Sequence, residues 1–373
     1  MWLDNVSAAQ RHLALRLEED ESGHTWLATA DRRLHLAEVH VPGDLEAMGT
    51  YRASVRAGQP QAIPYDDALP KHYWDPAARV EKLDEYGIDE AVVFPQFGLM
   101  WERQLAEDLD ATRVNMEASN RWARDVRVDS GGRLHPVGRA TLRDLDWLDT
   151  ELEELARADV RLVMINPALV DDKPLSDPSL DRAWAAFTRH DITPCFHVAA
   201  TPALFKDGWY GTSHDRASVN PHPVTPMMSA VFLHVAPAVA IADLTINGVF
   251  DRHPALRLGV MELTSGWVPG FLARIDGTMR FHARFNGHPE LLAATPPSET
   301  VRAHVRVAVF ADEDPAALID QCGDLFMYTS DFPHAEGLAE PLDDYLAVCD
   351  GIALQQREHL FSRNIRWLLR EVD

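Results

Sequence analysis

The sequence predicts an α/β protein, a closed TIM (β/α)8 barrel with a small β-rich insert near the N-terminus. Three observations carry that expectation. From about residue 75, short apolar runs alternate with amphipathic helical stretches, the order of βα units around a parallel sheet. About six such units can be counted, and none carries a glycine-rich dinucleotide fingerprint. At 373 residues the chain suits a closed barrel better than an open doubly wound sheet.

The elements follow in order. DPAARVEKLDEYGIDEAVVFPQ predicts a helix stopped at Gly87 and a buried strand from Ala91 to Phe94. A long helix is expected from about Leu105 to Val128, then a strand over 133–142. LDWLDTELEELARAD places Leu148, Leu152 and Leu155 on one helix face. VRLVMINPA is a strand ending at Asn166, DPSLDRAWAAFTRHD an Asp-capped helix, and ITPCFHVAA a strand ending at His197. AVAIADLTINGVFDRHP is helical, LRLGVMEL is a strand ending near Glu262, and WVPGFLARIDGTMRF is helical again. Asp324 to Thr329 is the last strand, and helices fill the C-terminus. Residues 1–74 form an N-terminal segment whose short alternating pieces predict the β-rich insert, and residues 75–373 form the barrel, together one structural domain. Residues 200–228, rich in Pro, Gly, Ser and His, predict a long loop after a barrel strand, of the kind that shapes a pocket.

Composition excludes several classes. A net charge of -23 opposes binding to nucleic acid or to an anionic membrane surface. No run of about 18 apolar residues predicts a membrane span. The first residues lack the basic-then-apolar order of a secretory signal, and three scattered cysteines fit a reducing cytoplasm. No Ser-His-Asp or Cys-His arrangement is recognisable, and no cysteine sits in a reactive setting.

In barrels of this kind the active site lies at the C-terminal ends of the strands. Three chemistry-bearing residues stand there. His197 ends the run Ile192-Thr193-Pro194-Cys195-Phe196 and suits a metal ligand or a hydrogen-bonded core imidazole. Asp331 ends the last strand and suits a metal ligand and proton acceptor or an N-cap. Glu262 suits a ligand, an acid–base group or half of a buried ion pair. His334 and Glu336 follow on the loop, His334 in a structural role. Asn166 is a pocket polar group, Met100 and Trp101 line a pocket or the core, and His253 is structural, at the opposite end of the barrel.

RLVMINPALVDDKPLSDPSLDRAWAAFTRHDITPCFHVAA, NGVFDRHPALRLGVMELTSGWVPGFLARID and MYTSDFPHAEG, in this order, resemble the amidohydrolase-related family. The branch is that of aminocarboxymuconate-semialdehyde decarboxylase and related nonoxidative decarboxylases. DPAARVEKLDEYGIDEAVVFPQFGLMW and the terminal SRNIRWLL add to a likeness over about residues 70 to 370. The resemblance implies one divalent metal ion, zinc first, manganese or iron as alternatives. His197 then falls on the family's fifth-strand ligand and Asp331 on its eighth-strand ligand. It also implies a catalytic set of Asp331, Glu262 and His234, the last as a substrate contact in FLHVAP. His214 and His222 in the variable loop are further candidates to meet substrate.

Two departures stand out. The decarboxylases carry a histidine near the sixth-strand end, where this chain has Glu262. The family also opens on a strand of the type D-x-H-x-x-E-P, whereas this chain begins MWLDNVSAAQR, so the resemblance implies a distorted TIM barrel whose first strand is truncated here. A late or clipped start, a metal-poor relative lacking that strand, or a substitute pair at Glu38 and His40 are the alternatives. The expected function is therefore hydrolysis or nonoxidative decarboxylation of a small carboxylated or aromatic metabolite by a cytoplasmic homodimer. The alternative is a non-catalytic barrel that binds or scaffolds.

Overall fold

The computed structural model describes residues 1–21, 23, 25–36, 69–95, 101–198, 230–292, 295–334 and 337–372. Strands β1 (Arg16–Glu19), β2 (Thr25–Ala28) and β3 (Arg33–Leu36) form an antiparallel sheet in the order β1-β2-β3. This is the small insert that the alternating pieces predict. Its underside, with Leu15 and Leu27 fully buried, packs with Trp2, Trp101 and Met116 in a cluster of its own.

The barrel follows. Helix α1 (Pro76–Tyr86) begins at Asp75, whose carboxylate accepts from the Ala78 amide at 2.8 Å, and ends at Gly87 with φ 68°. After β4 (Ala91–Val93) and a short turn at Glu102–Leu105 comes α2 (Leu109–Asp129), capped by Asp108. Strands β5 (Leu134–Pro136) and β6 (Gly138–Arg139) are one extended run interrupted at Val137. The first half pairs in parallel with β4 and the second with β7 (Leu162–Met164). Helix α3 (Leu145–Arg157), capped by Asp144, lies between them and buries Leu148, Leu152 and Leu155, as its periodicity requires. An aspartate at each of these caps satisfies an otherwise orphaned amide, an effect of about 1 kcal/mol apiece.

The second half is α4 (Asp181–Arg189), β8 (Thr193–His197), α5 (Val235–Ile246), β9 (Leu258–Met261), α6 (Val268–Phe285), α7 (Pro297–His304), β10 (Val305–Val309), α8 (Pro315–Cys322) and β11 (Phe326–Tyr328). The six strands β6 to β11 lie side by side in chain order, every pair parallel. With β4 and β5 they make an open barrel wall, and no described strand lies between β11 and β4. Strand β10, which the six expected βα units do not include, brings the wall to one more.

Alternation along the strands sorts the core into two. Val163, Phe196, Val260, Val307 and Phe326 face outward under the helices. Leu162, Met164, Cys195, Met261, Ala308 and Met327 face the barrel axis. Leu368 and Leu369, from the last helical turns, join that inner set. Gly259 makes room for them: a Cβ there would stand 3.2 Å from Leu368 Cδ1 and 3.0 Å from Met261 Cε. Thr193 Oγ1 also donates to the Leu368 carbonyl at 2.7 Å, so the C-terminus plugs one end of the barrel and chemistry is left to the other. No helix among the described residues is long and apolar enough to cross a membrane.

A buried ionic network braces the upper rim. Arg139, 1% exposed, donates to Glu102 Oε2 at 2.9 Å and lies over the Trp101 ring at 4.9 Å. Asn166 Nδ2 donates to the other carboxylate oxygen at 2.9 Å. Burial raises the Glu102 carboxyl and lowers the Arg139 guanidinium from their ordinary values, so each depends on the other for compensation. Arg139→Ala is expected to cost about 3–5 kcal/mol in urea unfolding, because it strands a buried carboxylate. Adding Glu102→Gln should recover a large part of that loss. An Arg139→Ala protein as stable as the parent would show that the pair braces nothing.

Candidate active site

The alternation that places Cys195 inside β8 also turns His197 inward at its C-terminal end. The His197 imidazole is buried, its Nε2 2.8 Å from Glu262 Oε2 and its ring against Phe94, centroids 4.4 Å apart. Its Nδ1 is buried with no hydrogen-bond partner among the described residues.

Glu262 follows β9 directly. Since Met261 faces inward, simple alternation would turn Glu262 out beneath the helices. The backbone prevents this: Glu262 has φ 53° and Thr264 φ 58°, left-handed values that non-glycine residues adopt at about 1–2 kcal/mol each. Glu262 consequently lines the cavity. Glu313 holds the turn, its carboxylate accepting from Ser265 N at 2.7 Å, Ser265 Oγ at 3.0 Å, Gly266 N at 3.2 Å and Phe310 N at 3.1 Å. The loops after β9 and β10 are thus tied together beside the site.

Asp331 lies beyond β11 with φ 53°, its Oδ1 3.1 Å from His334 Nδ1. The segment around it is wound tightly by bonds from His334 N to Asp331 O (2.8 Å) and from Leu338 N to Ser330 O (2.9 Å). Gly337 passes so close that a Cβ there would be 2.4 Å from the Asp331 carbonyl oxygen.

These turns bring distant residues together. Glu262, Asp331 and His334 each place a ligand atom within 4.8 Å of the others, and His197 is attached through Glu262. Two carboxylates this close repel by about 3–4 kcal/mol at an effective dielectric constant near 20. A divalent cation or a shared proton relieves that repulsion, and carboxylate oxygens with imidazole nitrogens are donors that such a cation accepts. The donor set therefore fits a divalent metal ion.

A cavity of about 870 Å³ opens above the set, between β4 and β11. His72, Tyr73, Tyr86 and Phe332 give it an aromatic wall, with Phe332 in ring contact with the other three at 5.6–6.2 Å.

The other expected residues are placed elsewhere. His234 precedes α5, stacks on Trp267 at 6.3 Å, and is not among the described residues that line the cavity. Asn166 and Trp101 belong to the rim network, Trp101 fully buried. His253 pairs with Asp181 at 3.1 Å before β9, at the far end of the barrel. Met100, Glu38, His40, His214, His222 and Glu336 lie outside the described residues. Sequence reasoning gave His334 a structural role, whereas the structure sets it against Asp331. The i, i+3 spacing across Pro333 was the available signal. It passed over Phe94, and over Arg79 on α1, which also lines the cavity.

The comparisons with known proteins agree with this architecture. The amidohydrolase family profile matches residues 20–370. The chain belongs to the amidohydrolase family. Among solved structures, this amidohydrolase is similar to an amidohydrolase from Mycobacterium avium subsp. paratuberculosis K-10. The identity is 23% over 99% of this chain and 95% of that one, with a TM-score of 0.74. It is also similar to 5-carboxyvanillate decarboxylase from Novosphingobium aromaticivorans DSM 12444, whose structure holds manganese and 3-methoxy-4-hydroxy-5-nitrobenzoic acid. There the identity is 18%, the coverage 89% and 95%, and the TM-score 0.60. A third is 2,6-dihydroxybenzoate decarboxylase from Rhizobium, with 17% identity, coverage of 82% and 94%, and a TM-score of 0.52. No curated protein matches the chain.

The tight approach at Gly337 makes a stability prediction for this amidohydrolase. Gly337→Ala forces the backbone at Asp331 to move and should cost about 1–3 kcal/mol in urea unfolding. Gly277→Ala, inside α6 with open space around its Cβ, should instead gain up to about 1 kcal/mol. The reverse order of stabilities would show that Gly337 does not hold the Asp331 turn.

Proposed function

We propose that this amidohydrolase is a metal-dependent enzyme that decarboxylates a small aromatic or carboxylated acid without an oxidant. One observation carries the reading: Glu262, Asp331 and His334 converge within 4.8 Å, with His197 at 2.8 Å from Glu262, on the floor of an aromatic-walled cavity. The names of the similar decarboxylases support the reaction class. Hydrolysis is the second reading, favoured by Glu262, a carboxylate where the resemblance to the decarboxylases implies a histidine.

His197, Asp331, Glu262 and His334 are the residues that would hold a divalent ion. When bound, such an ion supplies a Lewis acid and a template for oxygen ligands. Glu262 Oε2, 2.8 Å from His197 Nε2, fixes the orientation of that ring. Asp331 Oδ1 lies 3.1 Å from His334 Nδ1, near enough for the carboxylate to take and return a proton while the imidazole balances its charge. In decarboxylation the proton goes to the carbon that loses carbon dioxide. In hydrolysis it goes to the leaving group. The aromatic wall orients a planar substrate and excludes water.

Manganese added to the purified protein should raise its melting temperature, since a ligand at 100 times its dissociation constant stabilises by about 2.7 kcal/mol. His197→Ala and Asp331→Ala should each weaken manganese about 100-fold or more while the fold persists by circular dichroism. Manganese-loaded protein should then release carbon dioxide from hydroxylated or carboxylated benzoates. Ester or amide hydrolysis in its place would select the second reading. Full metal occupancy in both variants would reject the ligand set, and a parent chain that takes up no zinc, manganese or iron would favour a non-catalytic barrel.

A further inference from the structure

A second cavity, of about 310 Å³, lies at the opposite end of the barrel, where the strands begin. Its wall carries four arginines, Arg127, Arg161, Arg257 and Arg370. Arg127 stands in the last turn of α2, Arg161 immediately precedes β7, and Arg257 immediately precedes β9. Arg370 reaches in from the C-terminal segment: its Nε donates to Thr193 Oγ1 at 3.2 Å and its Nη1 to the Ala255 carbonyl at 2.8 Å. Its Nη2 is buried with no hydrogen-bond partner among the described residues. Burial lowers the Arg370 guanidinium to about 10, with Arg257 and Arg161 adding to the shift and Asp191 opposing it, so the group stays charged at neutral pH. Three carboxylates share the wall, Asp159, Asp191 and Glu371. Asp159 is divided between Arg127 at 2.7 Å and Arg161 at 2.9 Å, and Glu371 faces Arg366 at 3.9 Å. The arrangement runs against the composition: the chain has 58 acidic and 35 basic side chains, yet here four arginines meet three acids. Gathering guanidiniums in a partly buried space is unfavourable unless an anion lies among them.

We propose that this lower cavity binds a small oxyanion of the phosphate class, held chiefly by Arg370 and Arg161 between the entries of β7, β8 and β9. The planar fork of arginine matches paired phosphate oxygens through parallel hydrogen bonds. A tetrahedral dianion also offers oxygens to several arginines at once, where a carboxylate offers only two. The volume stands at the lower limit of small-molecule pockets, so the ligand is phosphate itself or a phosphate carrying a short organic group. Arg370 directly follows Leu368 and Leu369, which plug the barrel, so an anion here ties that plug to the strand entries. The site lies at the other end of the barrel from Glu262 and Asp331 and is independent of the reaction proposed for them.

The test is calorimetric titration of the full chain with inorganic phosphate at fixed ionic strength, with sodium chloride as the control. Phosphate should bind once per chain and raise the melting temperature, and chloride should do neither. Arg370→Met should weaken phosphate roughly tenfold or more, the usual effect of losing a charged hydrogen bond. Arg161→Met should weaken it as well, and takes the place of Arg370→Met if that variant does not fold. Glycerol 3-phosphate that displaces phosphate would identify the ligand as a monoester, and its exclusion would identify free phosphate. A parent protein that binds no phosphate at millimolar concentration would overturn the proposal, as would unchanged affinity in Arg370→Met. Loss of phosphate binding in Arg79→Met would place the anion in the upper cavity and overturn it too. So would binding that appears only when Asp373, outside the described residues, is deleted, since the arginines would then serve the chain's own terminal carboxylate.

Discussion

Two carboxylates from strands that flank β10, Glu262 after β9 and Asp331 after β11, are held close enough to repel. The rest of the upper rim is organised to keep them there. Each occupies a left-handed backbone position that its side chain disfavours, and each position is enforced by a neighbour. Glu313 clamps the first turn through three hydrogen bonds, to Ser265 and Gly266. The second is wound so tightly that only glycine fits at 337. Strain and charge repulsion on one rim are tolerable because the barrel beneath is densely packed. The outer aliphatic layer and the inner Met and Leu layer are almost wholly buried. Local instability concentrated at one end, over a stable remainder, is the usual arrangement at sites that bind or react.

How much of this the sequence discloses depends on whether a feature is periodic. His197 is periodic: a five-residue strand with an apolar interior forces its imidazole to face inward, and the reading found it. The helix in DPSLDRAWAAFTRHD was legible, but its expected aspartate cap is displaced: Asp177 caps the short 3-10 turn Pro178–Leu180, and α4 starts after it with no side-chain cap. Strand β10 was missed because α7 runs into it at His304–Val305 with no glycine or proline between them. An arginine at 306 within an otherwise apolar run further weakened the pattern. The orientation of Glu262 was illegible for a different reason. It depends on a positive φ that no residue type at that position announces, and on a brace from Glu313, far along the chain. The contact of His334 with Asp331 likewise follows from how the loop closes.

A second grouping of the same residue types shows why composition alone does not make a site. Glu90, His135 and Glu371 also bring ligand atoms within 4.8 Å of one another, but at the N-terminal ends of the strands. There Arg366 stands 3.5 Å from Glu90 and 3.9 Å from Glu371, so the carboxylates already have their cation. His135, lowered by burial, pairs with Glu90 at 2.6 Å, and Leu368 and Leu369 fill the barrel beside it. At the upper rim Arg79, on α1, lines the same cavity as Glu262 and Asp331, with its guanidinium over the Phe332 ring. One end of the barrel has that pair of carboxylates matched by a cation and its core closed. The other leaves two carboxylates lining an open volume, and a ligand with charge to share is what such a volume can accommodate.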